Sequence, residues 1–300
     1  NQSFDSTTEE EYASQSKLLQ EFVGISSIDK AWIFKSDSGS QAMFSISQPN
    51  LLANKRRKFM LSSNISKESS GSVNFQWAPF PVEMTGISAI IPSPSGSKLL
   101  VVRNPENESP TQFEIWGPSQ LEKEFLIPHS VHGSVYVDGW FEGISWNCDE
   151  SFVAYVAEEP SSSRPTFNSL GYNKVGSTDK DCGSWKGRGD WEEEWGEAYA
   201  GKRKPALFII RIDSGEVRAV EGIPKSLSVG QVVWAPSMES SDQYLVFVAW
   251  SADKRKLGIK YCYNRPCTLY AILAPLHKSG VKELELKDDS IEEFSLLNLT

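Results

Sequence analysis

Several groups of residues in this sequence could do chemistry, and each lacks a part. A serine nucleophile on a strained strand-to-helix turn needs Gly-x-Ser-x-Gly, because the flanking glycines permit the turn. Ser145 in Gly143-Ile-Ser-Trp-Asn147 and Ser26 in Gly24-Ile-Ser-Ser-Ile28 both lack the second glycine. The histidines are three, His129, His132 and His277. His129 and His132 follow the apolar run ending at Ile127 with no carboxylate in metal-ligand register, so they are expected to be solvated loop side chains. Gly183-Ser-Trp-Lys-Gly-Arg-Gly189 has glycines and a lysine but neither P-loop nor dinucleotide spacing. The basic run Lys55-Arg-Arg-Lys58 borders an apolar strand and is expected at a solvated hairpin tip.

The densest cluster is Gly189-Asp-Trp-Glu-Glu-Glu-Trp-Gly-Glu197. Glycosidases need two carboxylates about 5–10 Å apart, commonly beside stacking aromatics, and Trp191 and Trp195 would supply those. Consecutive acids on a short turn, however, point in different directions. A sialidase-type Ser-x-Asp-x-Gly-x-Thr-Trp box is also missing. A structural cap or docking surface is the expected role.

The elements that must carry these residues are strands. Asp5 to Phe22 reads as a helix, with capping hydroxyls and carboxylates at 5–8, acids at 9–11 against the helix dipole, and Gly24 to end it. Beyond it helical periodicity stops, and a strand–turn–strand plan repeats. It appears at Gly86–Val102, at Gly143–Val156, and at Gly230 to Ala249. Each copy is followed by a second hairpin, as at Ala206 to Val220, which turns at Asp213-Ser214-Gly215. Four antiparallel strands per unit are the plan of a β-propeller blade. The expected fold is therefore all-β, with propeller blades and a short N-terminal helix.

The expected boundaries are a helical arm over 1–24 and a partial propeller over 25–300. Within it lie a degenerate blade near 29–75 and blades near 86–127, 141–220 and 229–286. The blade at 141–220 carries an insertion at 160–205, and a further unit is expected to open near 294. A blade cannot bury both faces alone, and rings of about four to eight blades are usual. A longer chain is therefore expected.

Composition narrows the function classes. A net charge of −9 lacks the basic footprint of a nucleic-acid binder. No apolar run approaches the ~18 residues of a membrane span, and the acidic start is unlike a signal peptide. Cys148, Cys182, Cys262 and Cys267 are too sparse for a disulfide framework, and reduced thiols in the cytoplasm are expected. No cofactor or metal site is expected.

Specific strings then point further. Gly189 to Glu197, Gly230-Gln-Val-Val-Trp-Ala-Pro236, and Leu257 to Tyr270 resemble the N-terminal propeller of the acylaminoacyl-peptidases, in the prolyl oligopeptidase family. Phe75-Gln-Trp-Ala-Pro-Phe-Pro-Val-Glu83 and the stretch to Trp116-Gly-Pro-Ser are similar to the plant form. The resemblance spans nearly the whole chain. It implies a serine peptidase that releases N-acylated residues from short peptides, with its Ser-Asp-His triad in a downstream α/β-hydrolase domain. No position here matches the triad motifs. It also implies a homo-oligomer, a propeller that covers the active site and selects substrates by size, and an N-terminal helix packed on the hydrolase domain. Trp191, Glu194, Trp195 and Arg265 are the candidates for gating or contact, Arg265 through bidentate recognition of an anion. The alternative is a propeller scaffold with no enzyme attached, although the Gly-His…Trp-Asp repeat signature is missing.

Overall fold

Strand runs rich in Val, Ile, Phe and Tyr, cut by Gly, Pro and Ser, build four larger antiparallel sheets and one two-stranded hairpin among the described residues. The computed structural model describes residues 6–36, 39–104, 109–137, 139–160, 165–168, 171–174, 195–236, 243–251, 256, 265–276 and 296–300. They divide into two compact units, Asn1–Ile87 and Ser88–Thr300.

The first unit begins with helix α1 (Ser6–Val23). Its backbone stops where the Gly24 amide bonds the Gln20 carbonyl at 3.0 Å. Its large apolar residues Tyr12, Leu18, Leu19 and Phe22 are exposed. Strands β1 (Ser27–Ser36), β2 (Gly39–Asn50), β3 (Lys55–Lys67) and β4 (Val73–Trp77) follow in meander order, and β5 (Val82–Glu83) also pairs with β3. The basic run opens β3 directly after the tight turn at Leu51 to Asn54. Its Arg57 grips Glu83 with two bonds of 2.7 Å.

The second unit holds three four-stranded meanders. The first is β6 (Ala89–Pro92), β7 (Leu99–Arg103), β8 (Thr111–Trp116) and β9 (Leu121–Ile127). The second comprises β10 (Ile144–Trp146), β11 (Phe152–Glu158), β14 (Pro205–Arg211) and β15 (Val217–Ala219). A separate hairpin, β12 (Pro165–Asn168) with β13 (Gly171–Lys174), falls between β11 and β14. The third is β16 (Leu227–Trp234), β17 (Tyr244–Ser251), β18 (Cys267–Leu273) and β19 (Leu297–Asn298). This is the all-β, blade-type architecture expected from the repeats, with one N-terminal helix.

The core lies between the sheets. Every residue of β11 is buried, because neighbours cover both of its faces. Phe152, Ala154 and Val156, with Leu207 and Ile209 of β14, face Val229, Leu245 and Phe247 of the third meander. Val153, Tyr155 and Ala157, with Phe208 and Ile210, face Leu100, Phe113 and Ile115 of the first. A two-sided strand reads as an unbroken apolar run rather than an alternation. Burying a Val, Leu or Phe side chain contributes roughly 1.5–3 kcal/mol, so these two interfaces hold the unit together.

The C-terminal end differs from the sequence expectation. Phe294 to Thr300 was expected to open a further unit. Instead Leu297 and Asn298 pair with Ala271 and Tyr270 as the outer strand of the third meander. Sequence distance is a weak guide to pairing, since closing a longer loop costs only about 0.6 kcal/mol per doubling. The run Val281 to Leu286, expected as that outer strand, lies outside the described residues.

Candidate functional site

The insertion between β11 and β14 leaves the sheet at Glu158 and returns at Pro205, so its two stems stand side by side. The Glu159 amide donates to the Lys204 carbonyl at 2.8 Å, and Arg203 Nε donates to the Glu159 carbonyl at 2.7 Å. Glu158 is 8% exposed. Its carboxylate has Arg203 Nη2 at 3.5 Å and Lys202 Nζ at 4.0 Å. Exposed ion pairs contribute little, but a buried carboxylate needs its partners, and removing one strands the other charge. Tyr136 adds a hydroxyl bond to the Arg203 carbonyl, and burial pushes its phenol far above the ordinary range. It therefore acts as a neutral donor.

Beyond this clamp the returning stem is anchored by aromatic rings. Trp195 is buried and its indole N–H donates to Ser228 Oγ of β16 at 3.1 Å. Its ring lies 5.8 Å from Phe141. Residues Glu197–Tyr199 form one 3₁₀ turn. That turn places Tyr199 4.7 Å from Phe141 and 5.9 Å from Tyr136, centroid to centroid. The Tyr199 hydroxyl accepts the Trp140 amide at 2.7 Å. Trp140 stacks on Trp250 of β17 at 5.2 Å. Gly139 is required beneath this cluster: its φ is +75°, and a Cβ would stand 2.2 Å from the Tyr199 hydroxyl. The return of the insertion is thus anchored to both the second and third meanders, and its base forms a packed platform.

Of the residues singled out from sequence, Trp191 and Glu194 lie outside the described residues. Trp195 is a core anchor whose ring faces away from solvent. Arg265 is half-buried two residues before β18, far along the chain from the clamp.

The histidines need a correction. His129 is half-buried, with Nε2 2.6 Å from the Ser109 carbonyl. His132 is wholly buried, its ring bonded to Tyr155 and Gly133. The segment after Ile127 is sandwiched between sheets, and loop-like composition does not reveal that. Burial, with smaller contributions from His129 and Arg203, lowers the His132 pKa to about 4. Glu158, Arg203, Tyr136 and Tyr199 also escaped the sequence reading. The one signal available was the Gly139-Trp-Phe-Glu-Gly143 string, in which glycines bracket two aromatics.

Among the described residues no group of three His, Cys, Asp or Glu side chains is placed to hold a metal ion. No described helix is long and apolar enough to cross a membrane. Cys148 and Cys267 are exposed free thiols.

Comparison with known proteins gives this platform its context. The family profile "Acylamino-acid-releasing enzyme, N-terminal domain" matches residues 1–300. The chain is 70% identical over 297 residues to the acylamino-acid-releasing enzyme of Arabidopsis thaliana, covering 99% of this chain and 38% of that protein. It is 63% identical over 281 residues to acylamino-acid-releasing enzyme 1 of Oryza sativa subsp. japonica, covering 91% of this chain and 36% of the relative. The human acylamino-acid-releasing enzyme is 32% identical over 212 residues, 66% of this chain and 28% of its own length. Among solved structures, the Pyrococcus horikoshii acylaminoacyl peptidase aligns with a TM-score of 0.36 at 15% identity, over 83% of this chain and 38% of that one. The chain spans little more than a third of the curated relatives it matches. Since the profile match runs from the first residue to the last, this chain belongs to the family of acylamino-acid-releasing enzyme N-terminal domains.

Proposed function

We propose that this chain is the propeller part of a serine peptidase that releases N-acylated amino acids, such as acetylated ones, from the ends of short peptides. The observation that carries the reading is the 70% identity, over nearly the whole chain, to a plant protein named for that release. The Ser-Asp-His triad belongs to an α/β-hydrolase domain elsewhere in the same protein. This part covers and gates that site and limits substrate size. Sequestering a reacting centre from water and bulky substrates is a task for rigid, preorganised elements, and the packed base of the insertion suits it. The insertion, with Trp191 and Glu194, lines an entrance or contact on that platform, Trp195 fixes its return, and Arg265 makes a contact elsewhere. The working form is a cytoplasmic homo-oligomer.

The test is hydrolysis of an acetyl-alanyl chromogenic substrate by residues 1–300 and by the full-length protein. Turnover is expected from the full-length protein alone. Equal turnover by residues 1–300 would place the chemistry here and overturn the reading. No turnover by either would favour a binding scaffold.

A further inference from the structure

We propose that His132 is an acid-sensitive latch on the base of the insertion: its neutral ring ties the corner at Gly133 to β11 and to the ion pair closing the two stems, and protonation in mild acid opens that base while the sheets stay folded.

The ring's bonding fixes the tautomer of its neutral form, and burial outweighs the pull of the Gly133 bond toward the cation. Nδ1 lies 2.7 Å from the Gly133 carbonyl oxygen, which can only accept, so Nδ1 carries the hydrogen. Nε2 is then the acceptor, and the Tyr155 hydroxyl 2.8 Å away donates to it. Around the ring stand Phe208 at 4.9 Å, Tyr155 at 5.3 Å and Phe113 at 6.4 Å. A proton on Nε2 would make the Tyr155 hydroxyl turn from donor to acceptor and would place a cation inside this apolar cage.

The facing groups reinforce the preference. His129 acts from the same connecting segment and Arg203 from the insertion's return, and both disfavour a second positive charge. From β11 come Tyr155, whose phenol burial keeps protonated, and Glu158, whose carboxylate is engaged by Arg203 and Lys202. β8 and β14 contribute the uncharged rings of Phe113 and Phe208. The sign follows. A histidine whose closed-state pKa is about 4 against an ordinary 6.5 favours the closed base fully above the ordinary value. That preference is lost as pH falls from there toward about 4.

Gly133 transmits the change. Its carbonyl holds His132, and its amide donates to the Glu158 carbonyl at 2.9 Å. Its α-carbon is pressed against the clamp, for a Cβ there would lie 2.2 Å from Arg203 Nη2 and 2.6 Å from Glu158 Oε2. A shift of His132 therefore shifts the floor on which the Glu158–Arg203 pair rests. The stem amides at Glu159 and the turn at Glu197–Tyr199 open with it.

The test is amide hydrogen exchange by mass spectrometry on the full chain at neutral pH and near pH 5, corrected for intrinsic exchange. Protection over residues 133–136 and 196–204 is expected to fall at least tenfold, with that of β17 unchanged. His132→Gln, which keeps an acceptor for Tyr155 but cannot titrate, is expected to abolish the response, and His129→Gln to leave it intact. Constant protection at the base overturns the proposal. So does a parallel loss in β17, or a response surviving in His132→Gln. If that variant does not fold, NMR titration of the wild-type histidines decides. A His132 midpoint that tracks the loosening supports the latch, and an ordinary midpoint with the base closed overturns it.

Discussion

At Gly230 a Cβ would stand 2.5 Å from the Trp140 carbonyl oxygen and 2.8 Å from the Phe141 α-carbon. Both obstacles are backbone, and the next residue, Gln231, sits at φ 56° in a bulge with its amide bonded to the Glu142 carbonyl at 2.7 Å. Nothing there can step aside. Gly230→Ala is expected to lower stability by about 2–3 kcal/mol in urea unfolding. At Gly117 the Cβ would meet only the end of the Glu122 side chain, which can swing into solvent. Gly117→Ala is expected to stay within about 0.5 kcal/mol of wild type. Equal costs would show that the close approach at Gly230 is not a constraint. Both glycines look alike in sequence. So do His129 and His132, one half-buried and one fully buried, because burial is decided by what another element lays over a residue.

Strand by strand, exposure follows the number of covered faces. β11 is covered on both, so Val153→Lys and Val156→Lys, pointing into opposite interfaces, are each expected to cost more than about 3 kcal/mol. In β16, Val232 is 2% exposed and its neighbour Val233 50%. Val233→Lys should therefore change stability by less than about 0.5 kcal/mol. Chemical denaturation of the three variants checks this, and a tolerated Val153→Lys would mean that the first interface contributes little. The sequence carries a trace of the two-sidedness of β11 that the repeat plan alone did not reveal, since Phe152 to Ala157 contains no charged residue. The outer strand of the third meander was not. Leu297–Asn298 is two residues long, too short for any periodicity, and only pairing with β18 identifies it.

For the molecule as a whole, both inter-sheet cores lie within residues 88–300. That fragment, made without residues 1–87, is expected to keep a cooperative thermal transition and a β-type circular dichroism spectrum. A broad, non-cooperative melt would show that the cores need the first unit. The helix is a different matter. Its apolar residues Tyr12, Leu18, Leu19 and Phe22 are exposed, and the sequence could give their side of the helix but not what covers them. By itself the sequence determined what depends on neighbours along the chain: the strand runs, the turns at glycine and proline, the four-strand repeat and the resemblance carried by strings around Trp195 and Gly230. Tertiary structure alone decided what depends on neighbours in space. It turned Trp195 into a core anchor, paired Glu158 with Arg203, and closed a cage of rings around His132. The physical reason is that burial and charge pairing join residues brought together only when separate sheets pack, as with Tyr136 and Arg203, whose bond spans 67 positions.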